Sequence, residues 1–139
     1  MSGCKQLTES MSYLLQIAES ESFGPAKFVN KAGHTECVEY VRQATGAPST
    51  PEWRQGVQVV GARPGSIRRG TAIATFDEHG HYPRDGRGRH AAIFLEENAL
   101  GIVVLDQWNS QGEVKRRTIY LKRPDYPRVD CARQYFVIE

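Results

Sequence analysis

The fold is decided by residues 90–108, which read HAAIFLEENALGIVVLDQW. Two apolar runs, His90 to Leu95 and Gly101 to Trp108, are separated by the polar turn signal Glu96 to Ala99, a pattern typical of a β-hairpin. Because side chains alternate between the faces of a strand, His90 and Asp106 each share a face with apolar residues of their own run. If the two runs pair, His90 and Asp106 lie near each other at the same end of the hairpin.

Three more strands are predicted around the hairpin. Runs rich in β-branched and aromatic residues occupy Thr71 to Phe76, Lys115 to Leu121 and Tyr135 to Ile138. A turn signal at Asn109 to Gly112 separates the hairpin from the run that follows it. We therefore expect an antiparallel sheet of about five strands. The segment Pro48 to Ser66 is rich in Pro, Gly and Arg and is expected to form an irregular surface loop.

Two helices are predicted before the sheet. Thr8 is a suitable N-cap for the first, and the residues that follow it have the spacing of one apolar helix face: Met11, Leu14, Leu15 and Ala18. Thr35 is the predicted cap of the second helix, which runs to Ala44 and is closed by Gly46 and Pro48. N-terminal helices packed on a later antiparallel sheet indicate an α+β fold. At 139 residues, we expect a single domain over residues 1–139.

Composition and charge limit the partners. The formal net charge is only +2, although basic residues are concentrated in residues 63–90 and 115–133. No aromatic stacking platform is interleaved with them, so we expect no nucleic-acid partner. No window approaches the ~18 apolar residues of a membrane span, and the N-terminus lacks the apolar core of a signal peptide. We therefore expect no membrane partner and no use of the general secretory route.

The three cysteines, Cys4, Cys37 and Cys131, have no C-x-x-C spacing, which disfavours a zinc ribbon or a thioredoxin motif. Chain ends often lie close together, so one hypothesis is that Cys4 and Cys131 form a disulfide in an oxidising compartment. Cys37 would then remain unpaired.

Cys37 lies near the predicted start of the second helix. Unpaired backbone N–H groups and the helix dipole favour a thiolate there, as a nucleophilic cysteine requires. His90 is a suitable base, and Asp106 a suitable carboxylate to orient the imidazole. The alternative remains that Cys37 is a small buried apolar residue, His90 a structural histidine and Asp106 a turn-capping residue.

The other histidines could be combined with Cys37 and His90 into a zinc site on paper. His34 precedes Cys37 by three residues, and His79 and His81 lie in a segment that is typical of a polar hairpin tip. No recognised ligand spacing is present. We therefore expect neither a metal nor a cofactor.

The order of these motifs resembles the NlpC and CHAP group of papain-like cysteine peptidases. The likeness consists of a cysteine at a helix start, a Gly-led apolar strand at Gly70 to Phe76, a histidine opening the run His90 to Leu95, and the run Val104 to Trp108 one strand later. It covers residues 30–110. Within the group, the small size, the absent signal peptide and the Asp106-Gln107-Trp108 run are similar to the small amidase effectors of the type VI secretion system.

This resemblance implies hydrolysis of amide bonds in peptidoglycan peptide stems, in the periplasm of a rival cell reached without a signal peptide. It implies three partners, namely the peptide stems, the secretion machinery and a cognate immunity protein, and a chain that is a monomer when free. Carried over residue by residue, Cys37 attacks the carbonyl, His90 transfers the proton and Asp106 holds the ring, with Gln107 as the backup for this third role. Arginines of the loop from Arg84 to Arg89 could meet stem carboxylates.

Two positions depart from the pattern. Thr71 stands where the group usually carries Asp, and Arg89 adds a bulky charge before the histidine, so the substrate subsites are less certain than the chemistry. Two alternatives remain open. One is a binding module that keeps the scaffold without catalysis, and the other is a different enzyme, either a housekeeping cell-wall hydrolase or a deamidase that acts on proteins.

Overall fold

The hairpin at residues 90–108 lies within an antiparallel sheet of six strands. The computed structural model describes residues 12–15, 28–122 and 126–139. Its α-helix and strands are α1 Cys37–Thr45, β1 Gln55–Gln58, β2 Ala72–Thr75, β3 Ala91–Asn98, β4 Gly101–Asp106, β5 Lys115–Tyr120 and β6 Tyr135–Ile138. The strands are arranged in the order β1-β6-β2-β3-β4-β5. In the part of the chain that is described, no helix is long and apolar enough to cross a membrane.

The β3–β4 hairpin forms as predicted, with a register shift between Phe94 and Glu96. Ile93 lies opposite Leu105, and Asn98 lies opposite Gly101 across the turn. The Asn98 side chain closes this turn, because its Oδ1 accepts the backbone N–H groups of Leu100 and Gly101. The pairing brings the start of β3 beside the end of β4, which is the end where His90 and Asp106 stand.

Both faces of the central strands of the sheet are buried. Helix α1 packs through Tyr40, Val41 and Ala44 on one face, where it meets alternate residues of the strands. The opposite face carries a second apolar cluster that includes Ile73 and Val104 together with Val59 and Ala132 from connecting segments. This double coverage explains why β3 and β4 are apolar at consecutive positions instead of alternating with polar residues.

The prediction of a first helix is wrong for the part of it that is described. Leu14 forms an antiparallel bridge with Thr71, and the Leu15 N–H donates to the Gly70 carbonyl at 2.7 Å. The helical spacing of four apolar residues reports only their side chains. It does not show that the backbone of this segment pairs with Gly70 and Thr71, just before β2. The rest of the predicted helix, including Thr8, Met11 and Ala18, lies outside the described residues.

The segment Pro48 to Ser66 is more regular than predicted. It contains a 3-10 turn at Thr50–Glu52 and the strand β1, which pairs with β6 at the edge of the sheet. The pairing continues in two backbone hydrogen bonds between Arg54 and Glu139, of 2.6 and 2.8 Å. Strand β1 was missed because its sequence, QGVQ, has little β propensity and is held mainly through its backbone.

The second helix is confirmed, with its start displaced. The N-cap is Glu36 and Cys37 is the first helical residue, whereas Thr35 was predicted as the cap. The Thr35 hydroxyl instead donates to the Trp108 carbonyl at 3.3 Å, which ties the approach to the helix to the end of the hairpin. Gly46 closes the helix as predicted, with a left-handed φ of 80° and its N–H bonded to the Arg42 carbonyl.

Candidate active site

Cys37 is held at the first position of α1 by the side chain of Gln107. The buried Gln107 amide nitrogen donates to the carbonyls of Phe28 at 2.7 Å and Glu36 at 2.9 Å, and its oxygen accepts the Phe28 N–H. Both amide hydrogens are therefore used to fix the backbone that enters the helix. Gln107 was predicted as the backup for orienting His90, and its contacts show instead that it positions the segment that carries Cys37.

His90 is fixed just before β3 by hydrogen bonds with Thr75 of the neighbouring strand. The His90 N–H donates to the Thr75 hydroxyl at 3.0 Å, and the Thr75 N–H donates to the His90 carbonyl at the same distance. The Thr75 hydroxyl itself donates to the Gly88 carbonyl at 2.7 Å. The imidazole contacts the rings of Trp108 and Tyr135 edge to face. These contacts leave the ring little freedom to reorient.

Asp106 lies beside the imidazole, as the hairpin predicted. Its Oδ2 is 2.7 Å from His90 Nε2, and the aspartate is fully buried. With Nε2 engaged in this contact, Nδ1 is the ring nitrogen that remains for Cys37. The proximity of His90 and Asp106 is thus confirmed, and their catalytic roles remain predictions.

Arg117 of β5 completes the network, and no feature of the sequence singled it out. Its Nε donates to both carboxylate oxygens of Asp106, at 2.9 and 3.2 Å, and a terminal nitrogen lies 2.8 Å from Oδ2. The guanidinium also lies over the Trp108 ring, 4.9 Å from its centroid. Strand pairing places Arg117 opposite Val104, two residues before Asp106. The same pairing places Lys115 directly opposite Asp106, so the side-chain contacts, and not the register, distinguish Arg117 from the basic residues before it.

The electrostatics of the site favour a thiolate–imidazolium pair. Burial alone would raise the pKa of the Cys37 thiol, but hydrogen bonding and charge interaction with His90 outweigh it, and contacts with Tyr82 and the Ala91 backbone add to the effect. The net pKa lies below the ordinary 9.0. Burial alone would lower the pKa of His90, but Asp106 and Cys37 raise it to about 9. The site therefore favours proton transfer from sulfur to the ring.

Two grooves meet at Cys37. One has a volume of about 860 Å³ and is lined by Trp53, Tyr82 and charged side chains that include Arg84 and Arg89. The other has a volume of about 450 Å³ and is lined by His90, Trp108 and Arg117, among other residues. Because both grooves include Cys37, an extended chain can lie across the thiol with residues on each side of the bond to be attacked.

The remaining histidines have other surroundings. The backbone N–H groups of His79 and His81 both donate to Asp77 Oδ1, which confirms a polar turn between β2 and β3. The exposed His34 ring is 3.9 Å from Glu36. Within the described ranges, no group of three His, Cys, Asp or Glu side chains could hold a metal ion. Cys4 lies outside these ranges, so its pairing with Cys131 stays a prediction.

Comparison with known proteins gives consistent matches. A family model described as Domesticated amidase effector 2 matches residues 9–138. A Salmonella typhi protein named Type VI secretion amidase effector 2 protein is 41% identical over 75 residues, which cover 54% of this chain and 54% of that protein. An Ixodes scapularis protein named Domesticated amidase effector 2 is 38% identical over 96 residues, which cover 66% of this chain and 64% of that protein. The chain thus spans between half and two thirds of these relatives.

One solved structure resembles nearly the whole chain. It is titled Type 6 secretion amidase effector 2 (Tae2), has a TM-score of 0.76 and 31% sequence identity, and is matched over 91% of this chain and 94% of its own. The likeness confirms the predicted α+β, papain-like fold. The strand count differs, since six strands are present where about five were predicted.

Proposed function

This chain belongs to the domesticated amidase effector 2 family, and from that membership and its site we propose that it is a cysteine amidase acting on the peptide stems of peptidoglycan. The observation that carries the proposal is the arrangement of Cys37, His90 and Asp106 at the junction of two grooves. A merely structural histidine would not need a thiol of lowered pKa beside it at a helix N-terminus.

The reaction proceeds in two stages. The Cys37 thiolate attacks the amide carbon, and the imidazolium of His90 gives its proton to the leaving nitrogen as the C–N bond breaks. A thioester remains on Cys37. Neutral His90 then takes a proton from water, whose oxygen attacks the thioester and releases the carboxylic acid, which restores the thiolate–imidazolium pair.

Asp106 supports His90 directly, and Arg117 supports it through Asp106. Asp106 holds Nε2 so that Nδ1 faces the sulfur, and its charge stabilises the imidazolium. Arg117 holds Asp106 by two nitrogens and so limits the rotation of the carboxylate. The proposed mechanism is therefore Cys-His-Asp, with an arginine that positions the aspartate.

The larger groove, which carries charges of both signs, offers guanidinium groups to an acidic peptide. Arg84, Arg89 and Arg128 line it, and a guanidinium binds a carboxylate through two hydrogen bonds. Peptidoglycan stems carry free carboxylates beside their amide bonds, which these arginines would bind. Four carboxylates also line this groove, those of Glu36, Asp77, Glu78 and Asp85, and Asp85 lies 4.0 Å from Arg128. Arg84 and Arg89 are therefore the proposed ligands of the acidic groups.

The name of one relative supports a delivery route. The name of the Salmonella typhi protein places it in type VI secretion, and for this chain we propose the same route, action in the periplasm of a rival cell, and a cognate immunity protein that covers the grooves. A charged rim around a half-buried nucleophile would suit such an inhibitor, because electrostatic attraction speeds association.

The test is digestion of isolated peptidoglycan sacculi by the wild type and by Cys37→Ala, with mass identification of the released muropeptides. We expect stem fragments from the wild type and none from the variant, whose fold is kept because a small side chain replaces another. If the wild type sediments with sacculi but releases nothing, the chain is a binding module and the proposal is wrong. Release of ammonia from protein substrates alone would indicate a deamidase.

A further inference from the structure

The Tyr82 hydroxyl touches the nucleophile from the side of the larger groove. It lies 3.7 Å from Cys37 Sγ, and the ring lines the groove where a substrate would lie. The Cys-His-Asp mechanism uses neither this hydroxyl nor the contact. No sequence motif indicated Tyr82, which stands in the connection between β2 and β3, 45 residues from Cys37 along the chain.

A buried tryptophan holds the Tyr82 ring in place. Trp53 contacts it edge to face, with ring centroids 5.0 Å apart. Only 2% of Trp53 is exposed, and its indole N–H donates to the Pro48 carbonyl at 2.8 Å. The hydroxyl is therefore placed by a rigid aromatic pair and not by a mobile side chain, which is what a preorganised donor requires.

The hydroxyl keeps its proton under working conditions. Burial raises the pKa of Tyr82 well above the usual 10, and the negative charge on Cys37 raises it further. Tyr82 is consequently a hydrogen-bond donor throughout the pH range in which Cys37 is a thiolate, and it is unsuited to act as a base.

We propose that the Tyr82 hydroxyl is the second donor of the oxyanion hole, beside the backbone N–H of Cys37. This assignment rests on the proposed amide hydrolysis. As the sulfur–carbon bond forms, the π electron pair of the carbonyl moves to oxygen, and the Tyr82 O–H donates a hydrogen bond to that oxyanion while retaining its proton. As the C–N bond breaks, the pair returns to re-form the carbonyl and the leaving nitrogen takes its proton from His90.

The long contact in the resting site supports this assignment. A hydroxyl 3.7 Å from sulfur makes a weak hydrogen bond with the thiolate. The oxyanion forms two bonds away from that sulfur, and a carbonyl oxygen directed into the larger groove approaches the hydroxyl more closely. A donor that binds the developing oxyanion more strongly than the resting thiolate lowers the barrier instead of stabilising the ground state.

The experiment compares the wild type with Tyr82→Phe, using Tyr120→Phe on the exposed side of β5 as the matched loss of a hydroxyl. Hydrolysis of sacculi and acylation by p-nitrophenyl acetate both pass through an oxyanion, whereas alkylation of the thiolate by iodoacetamide does not. We expect Tyr82→Phe to lower kcat on sacculi and the acylation rate by about 10²-fold to 10³-fold. Its limiting alkylation rate at high pH should match the wild type, and Tyr120→Phe should match in all three assays.

Three results would overturn the assignment or separate it from the proposed function. Wild-type rates of acylation in Tyr82→Phe would show that the hydroxyl is not a donor to the oxyanion. A parallel fall in alkylation would show that Tyr82 only places Cys37. If the wild type leaves sacculi intact, the proposed function fails, and acylation by the ester still decides the role of Tyr82.

Discussion

Carboxylates and guanidinium groups occur both in the buried network at the end of the β3–β4 hairpin and in the exposed loop from Arg84 to Arg89. Their contacts differ in length and in exposure to solvent. In the network, Arg117 and His90 contact Asp106 at 2.7 to 2.9 Å, and the aspartate is fully buried. In the loop, Asp85 approaches Arg128 only to 4.0 Å, with 66% of the aspartate side chain exposed. Short contacts in a low dielectric tune the reactivity of a neighbour, whereas solvated charges remain available for ligands.

The largest effect is expected from removing the base. His90→Ala should lower hydrolysis by roughly 10³-fold or more, because both the activation of the thiol and the acid for the leaving amine are lost. The midpoint of iodoacetamide alkylation against pH should also rise towards 9.0, since His90 is the main group that lowers the Cys37 pKa. A variant with the wild-type midpoint would show that the thiol is activated by other groups.

The next comparison is between removal of Asp106 from the buried network and removal of Asp85 from the exposed loop. Asp106→Ala leaves a buried imidazole and a guanidinium without their carboxylate, so we expect a loss of about 3–5 kcal/mol in the free energy of unfolding. Activity should also fall, but by roughly 10²-fold less than in His90→Ala, if Asp106 mainly orients the ring. Asp85→Ala should cost below about 0.5 kcal/mol. Chemical denaturation and hydrolysis rates check both, and a silent Asp106→Ala would assign the third role to another residue.

The pH dependence of kcat/KM should be bell-shaped. The reactive form is the thiolate paired with the imidazolium, so the rate rises as pH increases through the lowered pKa of Cys37 and falls as pH increases through about 9, where His90 loses its proton. Each limb should change by about a factor of ten per pH unit. An alkaline limb near the ordinary 6.5 of a histidine would contradict the raised His90 pKa.

The smallest effects are expected from conservative changes of two arginines, Arg117 in the buried network and Arg89 on the larger groove. Arg117→Lys keeps the charge but loses the planar contact with both oxygens of Asp106, and we expect kcat to fall several-fold while KM is unchanged. Arg89→Lys on the larger groove should instead raise KM with kcat kept, because Arg89 would bind substrate. Steady-state kinetics on a soluble stem peptide distinguish the two patterns. Identical changes in both variants would remove the distinction between an arginine that positions Asp106 and one that binds substrate.

Much of the site was predictable because it depends on short-range patterns. The hairpin at residues 90–108 joined His90 to Asp106 through strand alternation and one turn. The second helix was expected from Thr35 and Gly46, although its N-cap is Glu36. The predicted first helix was wrong at Leu14 and Leu15, and β1 was missed, because both segments are extended through backbone pairing with distant strands. Backbone pairing of this kind leaves little trace in side-chain pattern.

The amino-acid sequence by itself determined the α+β class, the central hairpin and the order of Cys37, His90 and Asp106, because local propensity and alternation act over a few residues. Tertiary structure decided that Arg117 holds Asp106, that Gln107 holds the start of α1 and that Tyr82 touches the nucleophile. Each of these contacts joins residues on different elements, and the register and packing of the sheet set their separation in space. Spacing along the chain does not encode that separation.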